Sequence, residues 1–173
     1  MDRRARDLTA AMRIKGPIGI ALAILSVAVA SIAGAFVFEA LGYPPCEFCL
    51  KERIPYYAAI PLAGLALVFA ARGSSSLLRA AFAVLAVVFV ASAILGTYHA
   101  GVEWGLWPGP QECSGPLKHA PSAEDFWRQL QSVKVARCDI AALRILGVSL
   151  AGWNALISVL LAWLATLGMV KKI

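Results

Sequence analysis

Four long apolar stretches dominate the chain and contain no Asp, Glu, Lys or Arg: 16–38, 54–71, 80–98 and 145–170. A helix needs roughly 20 apolar residues to cross the hydrocarbon core of a bilayer, so each stretch is long enough to span a membrane. None shows the strict alternation that is typical of a β-barrel strand. The pattern predicts an all-α membrane protein, a bundle of four transmembrane helices.

The helices are predicted to form a single transmembrane domain over residues 1–173. With their flanking residues, the spans are expected at about 16–41, 54–71, 78–99 and 145–170. Two loops then lie on one side of the membrane, at about 42–53 and 100–144.

Composition and charge agree with this picture. The chain is 60% hydrophobic and only 15% charged, with a formal charge of +6. Nine of its sixteen Lys and Arg residues, with only two of its ten acids, lie in the two terminal tails and in the loop between the second and third spans. Basic residues near span ends favour the cytoplasmic side, so both termini are expected in the cytoplasm and the cysteine loops outside. The basic excess is therefore a topology signal, and nucleic-acid binding is not expected.

The longer outer loop contains a segment with helical periodicity. Ser122 is a plausible N-cap, acidic residues follow it, and Phe126, Leu130 and Val133 repeat at helical spacing. A short amphipathic helix is expected here, either on the membrane surface or packed on the protein.

All four cysteines lie in the two outer loops. Cys46 and Cys49 form a CxxC in the short loop, and Cys113 and Cys138 lie in the long one. This placement indicates an oxidising compartment. Four cysteines allow three pairings, and the sequence alone does not choose among them.

Three kinds of cysteine site compete. A zinc site is disfavoured because Cys113 and Cys138 are far apart and no His lies at ligand spacing, so no metal is expected. Haem attachment would require His directly after Cys49, where Leu50 stands. Structural disulfides that staple the loops remain an alternative to a redox site.

The surroundings of the CxxC favour redox chemistry. Pro44 and Pro45 stiffen the approach to Cys46, and Pro55 is tolerated in a first helical turn. The CxxC is therefore expected at a helix N-terminus, where unpaired N–H groups favour a thiolate. Arg53, one helical turn after Cys49, would do the same, although a span-end arginine can also be an interfacial anchor.

The sequence resembles the DsbB family, the quinone-dependent disulfide bond formation proteins of bacterial inner membranes. The most specific matches are the run from Pro45 to Arg53 (PCEFCLKER) and the run from Tyr98 to Gly105 (YHAGVEWG). Four spans and a cysteine pair in the second outer loop complete the resemblance.

The resemblance implies an oxidoreductase that reoxidises a periplasmic, DsbA-like thioredoxin-fold protein and is embedded in the bilayer of the inner membrane. Cys113 and Cys138 would oxidise the partner, with Cys113 forming the transient mixed disulfide, and Cys138 would then attack Cys46. Cys49 would be released as a thiolate facing a membrane quinone, either ubiquinone or menaquinone.

The resemblance also implies two quinone-binding residues. Arg53 would hold or polarise a quinone carbonyl, and His99 would line the same site. Without the resemblance, His99 would be an interfacial hydrogen-bonding residue.

Two further polar residues need a role. Glu39, near the outer end of the first span, is an unassigned candidate for proton handling, and Asn154 is expected to make an interhelical hydrogen bond.

Two rival functions are a membrane protein with purely structural disulfides and a reductase of the vitamin K epoxide type, whose CxxC would be expected late in the bundle.

Overall fold

A computed structural model of the chain describes residues 3–109, 122–124, 127 and 137–170, with side chains from residue 16 onward. Four long helices make up most of the described chain: α1 (Arg3–Ala40), α2 (Glu47–Ala71), α3 (Ser75–Glu103) and α4 (Leu150–Val170). All four are long and apolar enough to cross a membrane. They confirm the predicted all-α bundle of four membrane helices.

The outward faces of the bundle are apolar. Val87, Ile94 and Leu156 are each more than half exposed, and many other large apolar side chains share this position. A soluble monomer rarely exposes so much contiguous apolar surface. In a bilayer the same surface contacts lipid tails, and the helices satisfy their backbone groups internally.

Inside the bundle, small residues let the helices approach closely. A Cβ atom on Gly168 of α4 would lie 2.6 Å from the ring of Phe82 on α3, and one on Gly96 would lie 3.0 Å from the backbone nitrogen of Ala155. Interhelical polar contacts add to this packing: the Tyr56 hydroxyl donates to Asn154 Oδ1 at 2.6 Å. The interhelical hydrogen bond predicted for Asn154 is confirmed.

Glycines end two of the helices and turn the chain back. Gly42 and Gly73 adopt φ values of +91° and +69°, which side chains disfavour. At Gly73 the backbone nitrogens of Gly73 and Ser74 donate to Ala70 and Phe69, which is the hydrogen-bond pattern of a Schellman cap. These tight ends make successive helices antiparallel neighbours.

One end of the bundle gathers the polar side chains of different helices. Arg53 at the start of α2 pairs with Glu39 at the end of α1, and Glu52 pairs with His99 near the end of α3. Tyr56 contacts Asn154 in the first turns of α4. The segments that follow α1 and α3 therefore meet at this end.

The helix boundaries differ from the predicted spans. Helix α1 begins at Arg3 and α3 runs from Ser75 to Glu103, so both extend beyond the predicted 16–41 and 78–99, and the starts of α2 and α4 differ as well. Helix α2 begins at Glu47, well before Ile54, because Lys51, Glu52 and Arg53 each find an oppositely charged or hydrogen-bonding partner and can be helical. Helix α4 begins at Leu150 instead of residue 145. A hairpin of β1 (Arg144–Ile145) and β2 (Val148–Ser149) precedes it, turning at Leu146 and Gly147, both with positive φ.

The amphipathic helix expected from Ser122 falls largely outside the described residues. Within it, Ala123, Glu124 and Trp127 are helical.

Candidate functional site

Cys46 is the residue that begins helix α2. Its backbone is extended, and its Sγ accepts a hydrogen bond from the Cys49 backbone N–H at 3.2 Å. A thiol or thiolate thus takes the capping position that Ser or Asp commonly fills. Pro44 and Pro45 precede it, and the residue before a proline favours extended backbone. The local sequence therefore fixes the CxxC at the first turn of the helix, as predicted.

The two cysteines of the CxxC face different surroundings. Their sulfurs lie 2.8 Å apart. Cys46 is buried, with 5% of its surface exposed, whereas Cys49 is partly exposed and lines a cavity. One sulfur is directed to the protein interior and the other to a space that a small molecule can enter.

A buried histidine lies against Cys46. His99 Nε2 is 3.6 Å from the Cys46 sulfur, and His99 Nδ1 is 2.9 Å from Glu52 Oε1. The imidazole is 1% exposed and Glu52 is 7% exposed. The Phe48 ring covers the imidazole, with the two ring centroids 5.2 Å apart. Glu52, His99 and Cys46 thus form a continuous row of polar contacts in an apolar setting.

Glu103 lies next to this row on α3. Its Oε1 is 3.9 Å from His99 Nε2, while its Oε2 is buried and has no hydrogen-bond partner among the described residues. A second carboxyl group so close to the imidazole adds to the negative potential around the ring.

Cys138 reaches the same end of the bundle from the long loop. It is 1% exposed and belongs to one buried cluster with Cys46 and Phe48. Beside it, Arg137 Nε donates to Asp139 Oδ1 at 2.9 Å on the surface. The fold therefore brings together three of the four predicted cysteines, and Cys113 lies outside the described residues.

Arg53 is held at the cavity wall. Its Nη1 donates to Glu39 Oε2 at 3.0 Å, and its guanidinium lies 5.2 Å from the centre of the Phe36 ring. Its side chain is only 11% exposed. Arg53 thus forms its ion pair with Glu39. The sequence had predicted that its positive charge would favour a thiolate at Cys49. A guanidinium has five N–H donors, so others remain for a ligand in the cavity.

The cavity between α1, α2 and α4 has a volume of about 410 Å³. Such a volume is within the range of small-molecule sites. Its wall is mostly apolar, and its residues with polar groups are Ser31, Tyr43, Cys49, Glu52, Arg53, Tyr56, Trp153 and Asn154. His99 does not line it, which differs from the expectation that His99 and Arg53 share one site. The reason is that the imidazole of His99 is turned toward Cys46 and Glu52.

The described residues also contain one group of metal-type donors. The sulfurs of Cys46 and Cys49 and a ring nitrogen of His99 all lie within 4.8 Å of one another. Two thiolates on a tetrahedral zinc ion, each about 2.3 Å from it, would be roughly 3.8 Å apart. The sulfurs of Cys46 and Cys49 lie 2.8 Å apart, closer than that separation.

Comparison with known proteins identifies the family. The sequence profile of the family described as disulfide bond formation protein DsbB matches residues 18–168. The chain belongs to the DsbB family. It is also 26% identical over 143 residues to a protein of Rickettsia prowazekii described as uncharacterized protein RP370, covering 81% of this chain and 80% of that protein. No solved structure matches the chain.

Membership of the DsbB family makes the protein a membrane oxidoreductase of disulfide bond formation. The buried cluster at one end of the bundle suits that activity. A thiol pair at a helix start, a third cysteine in contact range and an imidazole beside the inner sulfur are the groups that thiol–disulfide exchange uses.

The sequence did not single out Glu52 or Glu103 as members of this DsbB site. Both could have been found from helical spacing. Glu52 follows Cys49 by three residues and Glu103 follows His99 by four, so each pair shares a helix face. Residues 42–53 were predicted to form a loop, so Cys49 and Glu52 were not expected to share a helix face.

The electrostatics of Cys46 lead to a pH prediction. The contact with the Cys49 sulfur, and then burial, raise the pKa of the Cys46 thiol well above its ordinary range. A raised thiol pKa keeps the neutral form up to higher pH. In the reduced protein, alkylation of Cys46 by iodoacetamide, followed by mass spectrometry, should therefore rise only at a pH above that of a free cysteine peptide.

Cys49→Ala is the control for this titration. It removes the group that contributes most to the shift, so the midpoint for Cys46 should move to lower pH. Identical midpoints in the two proteins would contradict the assignment.

Proposed function

We propose that this protein transfers electrons from a reduced, periplasmic, DsbA-like dithiol protein to a membrane quinone. The electrons would pass through Cys113 and Cys138 and then through Cys46 and Cys49. The observation that carries the proposal is the apolar cavity whose wall holds both Cys49 and Arg53. It supplies a place where a lipid-soluble oxidant can meet the CxxC.

The residues of the cavity fit a quinone. Its apolar wall suits the ring and tail, and the Arg53 guanidinium has donors for a carbonyl oxygen. When bound, a quinone supplies an acceptor for two electrons and two protons. Arg53 would orient the ring by hydrogen bonding, while Glu39 and Phe36 hold the guanidinium in place. Whether the pool is ubiquinone or menaquinone does not affect this role.

The placement of Cys138 supports the exchange between the two pairs. Its side chain shares a buried cluster with Cys46 and does not line the cavity. Attack of the Cys138 thiolate on Cys46 would break the Cys46–Cys49 bond and release Cys49 as the leaving thiolate. The leaving sulfur is then the one that lines the cavity.

The proposed location is the bacterial inner membrane, with both termini in the cytoplasm and the cysteine loops in the periplasm. The charge distribution supports this orientation, because the basic residues concentrate at the termini and at Arg72 and Arg79. The periplasm is kept oxidising by this type of system, and a dithiol partner is available there.

The first test of the function is turnover. Purified protein in detergent should consume decylubiquinone when it is mixed with a reduced thioredoxin-fold oxidase. The reaction is monitored through the absorbance of the quinone. Cys49→Ser should reduce the rate to the uncatalysed level because the sulfur that faces the cavity is gone. Reactions lacking the partner or the membrane protein set the background.

Unchanged turnover in Cys49→Ser would refute the route through Cys49. If the wild-type protein consumes no quinone at all, the rival account of purely structural loop disulfides gains the support instead.

The second test concerns Arg53. Arg53→Gln removes a charged hydrogen-bond donor worth about 1.5–3 kcal/mol. The KM for quinone should therefore rise by about 10- to 100-fold, and the KM for the protein partner should stay nearly constant.

Lys51→Gln is the matched control, since Lys51 is a half-exposed cation on the same helix turn that pairs with Glu47. It should change neither constant. Equal effects of Arg53→Gln on both substrates would show that Arg53 is an anchor of the helix end.

A further inference from the structure

The two sulfurs of the CxxC have different routes to the cavity. Cys49 lines the cavity directly, but Cys46 does not. Glu52 also lines the cavity, one helical turn after Cys49, and its carboxyl group reaches back to His99. The cavity is therefore connected to Cys46 through two side chains that the reaction described so far does not use.

The hydrogen-bond directions along this row follow from the protonation states of Glu52 and His99. When Glu52 is ionised it can only accept, so Nδ1 of His99 carries the proton that is donated to Glu52 Oε1 over 2.9 Å. When the ring is also neutral, Nε2 is the acceptor, and it faces the Cys46 sulfur at 3.6 Å. The imidazole is thus oriented to receive a proton from the Cys46 thiol on one side and to release one to Glu52 on the other.

Because the row of Cys46, His99 and Glu52 is buried, protons must move between its own side chains. Cys46, His99 and Glu52 are all buried, and Phe48 packs against both Cys46 and the imidazole. A proton that leaves Cys46 must be passed to a neighbouring side chain, because a bare charge is costly in such surroundings. The Cys49 sulfur is nearer, at 2.8 Å, but it loses its own proton in the same reaction, so the base in position is His99.

We propose that Cys46, His99 and Glu52 form a proton path from the inner cysteine to the cavity, separate from the exit of electrons at Cys49. The proposal rests on the proposed function and adds to it the route of one proton. The path acts on the dithiol state of the CxxC. That state forms when Cys113 attacks Cys138 in the Cys46–Cys138 disulfide, restores the Cys113–Cys138 bond and leaves Cys46 and Cys49 reduced, each with one of the two protons that the partner's dithiol gives up. Oxidation of these two thiols forms one S–S bond, breaks two S–H bonds and releases two electrons and two protons, which together convert a quinone to a quinol.

Each residue has a defined part in this balance. Cys49 lies at the cavity wall, so its own proton and the electron pair leave there. The Cys46 proton goes to His99 Nε2, the Nδ1 proton goes to Glu52 Oε1, and Glu52 gives a proton up at the cavity wall. Glu103, 3.9 Å from Nε2, favours the positively charged ring while it carries both protons.

The test compares Glu52→Gln with Glu47→Gln. Glutamine preserves the size of the side chain and a hydrogen bond to His99 but does not carry the proton. Glu47 is an acid on the same helix, half exposed and paired with Lys51, and serves as the matched control. Two quantities are measured: the affinity for decylubiquinone, from quenching of tryptophan fluorescence with Trp153 in the cavity wall, and the rate at which quinone oxidises the pre-reduced protein in one turnover.

Glu52→Gln should bind quinone within about twofold of the wild type and be oxidised at least 100-fold more slowly, as expected for loss of a group that transfers protons. Glu47→Gln should match the wild type in both. A wild-type rate in Glu52→Gln overturns the path while leaving the proposed function intact, whereas a wild-type protein that is not oxidised by quinone overturns the proposed function itself.

A second variant covers the case in which Glu52→Gln loses quinone binding. Glu52→Ala leaves room for a small acid, and added formate should restore much of its oxidation rate, which a merely structural role would not allow. Failure of formate, over a concentration series, to accelerate Glu52→Ala would overturn the proposal.

Discussion

The structure depends on the way in which helix α2 begins. Cys46 caps the helix with its sulfur, and this position directs Cys49 to the cavity and Cys46 to the interior. A helix start that was shifted by one residue would rotate every later side chain by about 100°, given 3.6 residues per turn. Glu52 would then leave His99, and Arg53 would leave Glu39. The proline pair before Cys46 is therefore as much a part of the site as the cysteines.

Charged side chains at the membrane boundary are tolerated here because each has a partner. Lys51, Glu52 and Arg53 follow one another, yet they point to Glu47, His99 and Glu39 respectively. Ionisable groups near a bilayer are costly unless they are paired or hydrated, and they then commonly mark a functional site. The contacts of Arg53 and Glu52 hold α2 to α1 and α3, and the Lys51–Glu47 pair lies within the first turns of α2 itself.

Hydropathy predicted the four helices because nothing but apolar residues can face lipid over such lengths. The CxxC at a helix start followed from Pro44, Pro45 and Pro55. The sequence did not predict that Lys51, Glu52 and Arg53 would each point to a different partner. That division depends on the tertiary neighbours Glu39 and His99, which lie far away along the chain. The hairpin before α4 was missed for a similar reason, since Ile145 and Val148 continue the apolar pattern without a break.

In the proposed relay Cys46 is the junction. It is the sulfur that Cys138 approaches from the long loop and the sulfur that His99 contacts from α3. The most direct measurement is disulfide mapping of a Cys49→Ala, Cys113→Ala double variant after mild oxidation in detergent. The account predicts one intramolecular disulfide between Cys46 and Cys138, detected by peptide mass spectrometry without reduction. Recovery of both cysteines as thiols, or only of disulfides between molecules, would contradict it.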